Sequence, residues 1–370
     1  MKQDNAIYVT KPFLPPLEEF VQYLDEIWET GILTNNGPKH RELEKGVMSR
    51  FGWRNTSLLT NGHLALEIAL KAMDLKLGGE IITTPFTFVS TTAAIVNQGF
   101  VPVFCDIKDN CTIDPSKIES LITDKTVAIL PVHVYGIPCD VESIEKIAKK
   151  HNLKVLYDAA HAFGVKSKGK DISSYGDISM FSFHATKLFH TIEGGALVYS
   201  NPKLKECIDL IKNFGISGPE SIELVGMNAK MNEFQAAMGL LLLRYFDDIT
   251  RKRKAIYERY IQNLNGVDGI EMFKPDDDTS YNYAYMPVLF ESNRDVVFKY
   301  LESKKIFARK YFFPCISKVE SYKKYLRGDS LANAEKKAEQ VITLPIYPEL
   351  TIEQVDYICQ NVLEAMKEKR

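Results

Sequence analysis

A lysine at position 187 stands where amine chemistry is possible. It lies in the segment Phe181-Ser-Phe-His-Ala-Thr-Lys-Leu-Phe-His-Thr-Ile-Glu-Gly-Gly-Ala, where a strand-like run ends in a polar turn and a Gly-Gly pair opens the next strand. A lysine amine can attack a carbonyl carbon when its surroundings keep part of it uncharged. Taken alone, a lysine is more often a surface or salt-bridging residue, so the neighbouring motifs must decide.

A carboxylate and an imidazole follow another strand-like run, in Leu156-Tyr-Asp-Ala-Ala-His-Ala-Phe-Gly. Asp158 has two interpretations. It is either a turn or helix-capping residue, which is common after a strand, or the partner of a pyridine nitrogen, which a carboxylate keeps protonated so that the ring accepts electrons. His161 is either a hydrogen-bond donor to the phenolic oxygen of such a ring or a structural histidine.

The segment Leu59-Thr-Asn-Gly-His-Leu-Ala-Leu is a small polar turn that leads directly into a helix. The free N–H groups and the dipole of a helix N-terminus bind phosphate, although turns of this kind are common. Together the three segments offer a phosphate site, a pyridine partner and an amine. This combination predicts a pyridoxal phosphate (PLP) site.

The elements that must position these residues form an α/β pattern. Between about Leu64 and Ser200, short apolar runs alternate with helical segments, which predicts strands joined by crossover helices in a mostly parallel sheet. Ligands of such sheets gather at the carboxyl ends of the strands. The predicted strands are Glu80-Ile-Ile-Thr-Thr, Val101-Pro-Val-Phe-Cys, Val127-Ala-Ile-Leu-Pro-Val, Lys154-Val-Leu-Tyr-Asp, Ile178-Ser-Met-Phe-Ser-Phe and Gly195-Ala-Leu-Val-Tyr-Ser.

The chain is long enough for two packed lobes. A helical stretch from Phe234 to Tyr245 leads into a Lys/Arg-rich helix, and Lys274-Pro-Asp-Asp-Asp-Thr is a turn signal. We therefore predict a large domain over residues 1–246, with an N-terminal arm, and a smaller α/β domain over residues 247–370.

The composition excludes several classes of protein. The chain has 370 residues with 46 basic and 48 acidic side chains, and no basic run suggests nucleic-acid binding. Its six cysteines are scattered, and its seven histidines form no metal-ligand motif, so we expect no metal. The start Met1-Lys-Gln-Asp-Asn-Ala-Ile lacks the apolar core of a leader peptide, and no run approaches the ~20 apolar residues of a membrane span. We expect a cytoplasmic protein without membrane contacts.

At these motifs the sequence resembles the nucleotide-sugar aminotransferases of the DegT/DnrJ/StrS group. The resemblance runs from Leu33-Thr-Asn-Asn-Gly-Pro to Leu344-Pro-Ile-Tyr-Pro, and it implies the aspartate-aminotransferase-like fold of type I PLP enzymes. It implies that Lys187 is the Schiff-base lysine and Asp158 the pyridinium partner, and that His161 lies near the ring oxygen. It also implies a ring-stacking aromatic, three phosphate contacts and one phosphate contact from the neighbouring subunit of a homodimer, which are Phe88, Ser182, Gly62, His63 and Asn228.

The family usually has threonine where this chain has His63, so a hydroxyl contact to phosphate is replaced by a backbone N–H or an imidazole. Phe88, considered without the resemblance, would be a core residue.

The resemblance implies a two-stage transfer in which L-glutamate supplies the amino group and a nucleotide-linked keto sugar receives it. The most similar branch acts on dTDP-4-keto-6-deoxyglucose, whose product serves in lipopolysaccharide O-antigen assembly. A 3-keto sugar or a UDP- or GDP-linked sugar is the alternative within the family. Candidate substrate residues are Arg309, Tyr311 and Glu193, although the stretch around Arg309 also fits a solvated basic strand edge.

Two further classes of protein are compatible with these motifs. Another type I enzyme, such as an amino-acid aminotransferase or a desulfurase, would bind PLP but turn over small acids only. A PLP-dependent sensor would bind the cofactor without turnover, but the sequence has no recognisable DNA-binding helix pair. A sugar 3-dehydratase of this group would carry histidine in place of Lys187.

Overall fold

A computed structural model describes residues 6–367 of the chain. Residues 1–5 and 368–370 lie outside the described part, and with them most of the N-terminal segment from which we expect no leader peptide. Within residues 6–367, no helix combines the length and the apolar composition needed to cross a bilayer.

Most of the strands are short. In chain order they are β1 (Ile7–Tyr8), β2 (Asn55–Leu59), β3 (Glu80–Thr83), β4 (Val101–Phe104), β5 (Thr126–Leu130), β6 (Lys154–Asp158), β7 (Lys166–Ser167), β8 (Lys170–Asp171), β9 (Ile178–Ser182), β10 (Gly195–Tyr199), β11 (Ile216–Gly218), β12 (Ser221–Ile222), β13 (Ile270–Met272), β14 (Thr279–Ser280), β15 (Met286–Phe290), β16 (Ile306–Phe307) and β17 (Val341–Leu344).

The helices alternate with these strands in the first half of the chain. They are α1 (Leu17–Thr30), α2 (Pro38–Phe51), α3 (Gly62–Ala72), α4 (Val89–Asn97), α5 (Pro115–Ile118), α6 (Val141–His151), α7 (Leu204–Ile211), α8 (Glu233–Leu264), α9 (Arg294–Ser303), α10 (Ala332–Gln340) and α11 (Ile352–Lys367). Short 3₁₀ segments cover Glu119–Leu121, Val134–Gly136, Ile172–Ser174, Ile316–Lys318 and Glu320–Tyr325.

A seven-stranded sheet forms the centre of the molecule, in the order β2-β10-β9-β6-β5-β3-β4. Strand β10 is antiparallel to β2 and β9, and the other neighbours are parallel. The predicted mostly parallel α/β sheet is confirmed. Because β6 and β9 run parallel, their last residues, Asp158 and Ser182, lie at the same edge of the sheet.

Local capping determines where the helices that approach this edge begin. Asn61 accepts a hydrogen bond from the N–H of Leu64 at 2.8 Å and caps α3, which therefore begins at Gly62, directly after β2. Asn232 and Gln235 form a reciprocal capping box at the start of α8. From there α8 continues as one helix of 32 residues to Leu264.

Apolar side chains pack on both faces of the central sheet and, separately, around the sheet β13-β15-β17. The first half of α8 belongs to the first core, and its second half adds Tyr257, Tyr260 and Leu264 to the other. The division into residues 1–246 and 247–370 stays a prediction, and α8 crosses that boundary without interruption.

Candidate active site

A cavity of about 530 Å³ opens at the edge of the sheet where β6 and β9 end. Its wall contains nine of the residues predicted from sequence, which are Gly62, His63, Phe88, Asp158, His161, Ser182, Lys187, Glu193 and Tyr311. Segments far apart in the chain therefore meet at one place, as expected for the carboxyl edge of a parallel sheet.

Lys187 lies in the polar turn after β9, and its N–H donates to the carbonyl oxygen of His184 at 2.8 Å. Its Nζ donates to the hydroxyl of Tyr285 at 2.9 Å. Tyr285 comes immediately before β15 and also lines the cavity. Sequence reasoning missed it, although alternating tyrosines at 281, 283 and 285 lead into a strand and indicate an extended segment.

Asp158 is the last residue of β6 and is only 5% exposed. Its carboxylate accepts from the hydroxyl of Thr91 at 2.8 Å and from the N–H of Ala160 at 3.1 Å. Burial raises its pKa, while those two hydrogen bonds and the charge of Lys187 act in the opposite direction. The contact with Ala160 is the turn that the sequence predicts as one role of Asp158. Asp158 also lines the cavity, as its other predicted role, partner of a pyridine nitrogen, requires.

His161 is buried beneath the same cavity. Its Nδ1 accepts from the backbone N–H of Tyr135 at 3.0 Å, which assigns the ring proton of the neutral form to Nε2. Burial, assisted by the charge of Lys187, lowers its pKa well below the usual range, so the ring is neutral at pH 7. Nε2–H can therefore act as a donor, and the ring lies parallel to Phe312 at 5.7 Å.

The start of α3 lies unusually close to the ends of β9 and β10. A Cβ atom on Gly62 would be 2.9 Å from Cβ of Ser182, and one on Gly195 would be 2.8 Å from the carbonyl carbon of Asn61. These two glycines therefore let the first turn of α3 approach Ser182. The result is a recess that combines helical N–H groups with a serine hydroxyl, a suitable site for phosphate.

Phe88 is 57% exposed and forms part of the cavity wall. The interpretation of this side chain as core is wrong, because Pro85 to Thr87 fill the buried positions and the chain then turns into α4 with the Phe88 ring outside. An exposed aromatic face at a cavity is available to pack on a flat ring.

Two of the three candidate substrate residues, Glu193 and Tyr311, line the cavity. The Oε1 atom of Glu193 lies 3.5 Å from Nε2 of His184, and Tyr311 packs edge-on against Tyr285. Arg309 is exposed, pairs through its backbone with Thr343 and does not line the cavity. Burial raises the pKa of Tyr311, and the charge of Arg309 acts in the opposite direction.

Asn228 also lies outside the cavity of its own chain. It is exposed and pairs through its backbone with Asn213.

These residues fit PLP. The buried carboxylate of Asp158 receives hydrogen bonds from two neutral donors, so a protonated pyridine nitrogen would offset the cost of burying it. The recess at Gly62 would be filled by a Cβ atom and suits the phosphate, and Lys187 supplies the amine.

Comparison with known proteins agrees with this geometry. The DegT/DnrJ/EryC1/StrS aminotransferase family matches residues 17–363. Two relatives, each a dTDP-4-amino-4,6-dideoxy-D-glucose transaminase, are 44% identical (Shigella dysenteriae) and 43% identical (Escherichia coli). The matches cover 98% of this chain and 99% and 100% of the relatives.

A solved structure, DesI in the presence of its TDP-sugar product, superposes with a TM-score of 0.92 at 30% identity. The match covers 98% of this chain and 94% of the DesI chain. The predicted family, fold class and cofactor are thereby confirmed. The chain belongs to the DegT/DnrJ/EryC1/StrS aminotransferase family and is a PLP-dependent aminotransferase.

Proposed function

We propose that this enzyme transfers an amino group from L-glutamate to the 4-keto carbon of dTDP-4-keto-6-deoxy-D-glucose. The product would be dTDP-4-amino-4,6-dideoxy-D-glucose. Identity of 44% over almost the whole length of a transaminase named for this product supports the choice of sugar. A 3-keto sugar, or a UDP- or GDP-linked one, is the alternative.

The observation that carries the proposal is the meeting of Lys187 and Asp158 in one cavity. The amine and the buried carboxylate come from the ends of two neighbouring parallel strands. PLP, when bound, supplies an aldehyde that an amine can bond and a ring that accepts electrons from the bonded carbon.

The protein's own residues then have separate tasks. Asp158 holds a proton on the pyridine nitrogen, and Nε2–H of His161 donates to the ring oxygen. The first turn of α3 and the Ser182 hydroxyl bind the phosphate, and Phe88 packs on the ring face. Lys187, once its amine is free, moves a proton through Nζ, a task worth roughly 10²–10⁴-fold in rate.

We assign the nucleotide sugar to the outer part of the cavity. Glu193 and Tyr311 line it, and Arg309 would approach the pyrophosphate from outside as a cation. We further propose a cytoplasmic homodimer in which Asn228 of one copy contacts the phosphate bound by the other. The exposure of Asn228 outside its own cavity supports this arrangement.

The proposal is tested by following the absorption of the PLP-loaded enzyme. We expect a visible band that disappears with L-glutamate and returns with dTDP-4-keto-6-deoxy-D-glucose. The substitution Lys187→Ala should abolish the band shift and lower turnover by at least about a thousandfold. Lys166→Ala, which removes an exposed lysine of β7, is the matched control and should behave like the unsubstituted enzyme.

Other outcomes separate the alternatives. Recovery of the band with a small keto acid but with no keto sugar would contradict the sugar assignment while leaving the aminotransferase intact. Faster recovery with a GDP- or UDP-linked sugar would replace the nucleotide. A band unaffected by Lys187→Ala would rule out the role of this lysine.

A further inference from the structure

The imidazole of His63 lies between a serine and a glutamate beside the proposed phosphate recess. Its Nδ1 is 2.8 Å from the hydroxyl oxygen of Ser90, and its Nε2 is 3.2 Å from Oε1 of Glu67. His63 and Ser90 both line the cavity, and Glu67 is 8% exposed behind them. The serine, histidine and glutamate thus form a chain of contacts that ends in the cavity.

The contacts of Glu67 determine where the ring carries its protons. The carboxylate also accepts from the side-chain amides of Asn97 at 2.8 Å and Gln98 at 3.3 Å, so it acts as an acceptor for every neighbour. It therefore assigns a proton to Nε2 of His63. Nδ1 is left to interact with the Ser90 hydroxyl.

Two arrangements of the Ser90 hydroxyl are then possible. If the ring is neutral, the hydroxyl gives its proton to Nδ1 and offers the cavity only lone pairs. If the ring is protonated, Nδ1 donates to the serine oxygen and the hydroxyl proton is free for an anion. A bound phosphate is an acceptor, so it favours the arrangement in which the hydroxyl proton points to the phosphate.

We propose that Ser90 donates its hydroxyl to the phosphate of the cofactor, and that His63 and Glu67 are positioning residues for this contact. Ser90 is the second residue of α4, and its side chain lines the same cavity as Gly62 and Ser182. The resemblance described above implies a threonine hydroxyl at position 63, and here Ser90 would supply a hydroxyl from a different helix. This assignment rests on the proposed function, because that function places the phosphate in this recess.

The test measures dissociation constants on the full-length enzyme freed of cofactor. Pyridoxamine phosphate is the probe, because its amine cannot form a Schiff base with Lys187. Pyridoxamine, which lacks the phosphate, is the control ligand. Ser90→Ala should weaken pyridoxamine phosphate about tenfold to a hundredfold, as expected for loss of a hydrogen bond to a charged group. Binding of pyridoxamine should stay unchanged, which also shows that the cavity is intact.

A second variant tests the link between the two residues. His63→Thr restores a hydroxyl at position 63, so in that background Ser90→Ala should cost about threefold or less. Ser120→Ala, which removes an exposed hydroxyl outside the cavity, is the matched control and should change neither constant.

The outcomes are distinguishable. An equal loss of affinity for both ligands in Ser90→Ala, or no loss for either, would overturn the phosphate contact. An equally large effect of Ser90→Ala with and without His63→Thr would overturn the replacement of the threonine hydroxyl. If the unsubstituted enzyme bound neither ligand, the proposed function itself would fail, and this assignment with it.

Discussion

Lys187 and Tyr285 are 98 positions apart in sequence, and their side chains share a hydrogen bond in the cavity. The lysine could be predicted because its strand, turn and Gly-Gly pair are consecutive in the chain. The tyrosine could not, because its place depends on how the segment before β15 crosses to the end of β9. Local sequence signals the type of an element but not its partner across the fold.

We expect Tyr285→Phe to slow the amination of the sugar about tenfold, the effect of losing roughly 1.4 kcal/mol of interaction at the amine. The phenol holds Nζ of Lys187 after the amine is released, so the rate should fall while the affinity for pyridoxamine phosphate stays the same. Single-turnover kinetics at saturating sugar measure the rate.

Tyr283→Phe is the matched control for that experiment, because Tyr283 is a half-buried neighbour that does not line the cavity. Its rate should equal that of the unsubstituted enzyme. A Tyr285→Phe enzyme with an unchanged rate would show that Lys187 does not depend on the phenol.

At the scale of elements, the recess depends on helix α3 beginning against the end of β9. Gly62→Ala would place a methyl group 2.9 Å from Cβ of Ser182, so the helix start must move away. We expect the affinity for PLP to fall at least about tenfold, since N–H groups displaced by even part of an ångström lose much of a hydrogen bond.

Equilibrium binding of PLP to the cofactor-free variant provides the measurement. Gly46→Ala is the control, because it also replaces a helical glycine but meets only the end of the Leu243 side chain. Equal affinity of the Gly62→Ala and Gly46→Ala enzymes would contradict the proposed close approach.

Periodicity predicted most elements of the central sheet, because the apolar runs of β3, β5 and β9 are buried on both faces and remain visible locally. In α8 the sequence changes from apolar to basic residues, and both stretches belong to one helix. The change reflects different surroundings along that helix, because its first half is buried and its second half presents charged residues to solvent. The amino-acid composition of a helix follows its burial, and the helical backbone can continue through a change in composition.

At the scale of the whole molecule, the position of Asn228 bears on how many copies complete one site. We expect coexpression of Lys187→Ala chains with Asn228→Ala chains to yield mixed dimers with one unaltered site. In such a dimer the Asn228→Ala chain supplies the lysine and its partner supplies the asparagine. Purification through two different tags, followed by titration with PLP, should therefore give a tight site in half of the chains.

Mixed dimers of Lys187→Ala with unsubstituted chains provide the reference affinity. If each cavity used the asparagine of its own chain, the first mixture would contain only altered sites, and its affinity would match that of the Asn228→Ala enzyme.

Helix α8 fixes parts of the active site from both of its halves. Near its start, the side chain of Gln235 donates to the carbonyl oxygens of Glu193 at 2.6 Å and Thr60 at 3.3 Å. Further along, Arg253 donates to the carbonyl oxygens of Tyr283 at 3.0 Å and Ala284 at 2.7 Å, just before Tyr285.

Gln235 and Arg253 are joined by unbroken helix, so the angle between their side chains around the helix axis is set by the number of residues between them. One residue inserted there would rotate Arg253 by about 100° relative to Gln235. Insertions in surface loops generally cost little stability. A change of one residue within α8, between Gln235 and Arg253, would instead rotate one of these side chains away from the carbonyl oxygens that it binds.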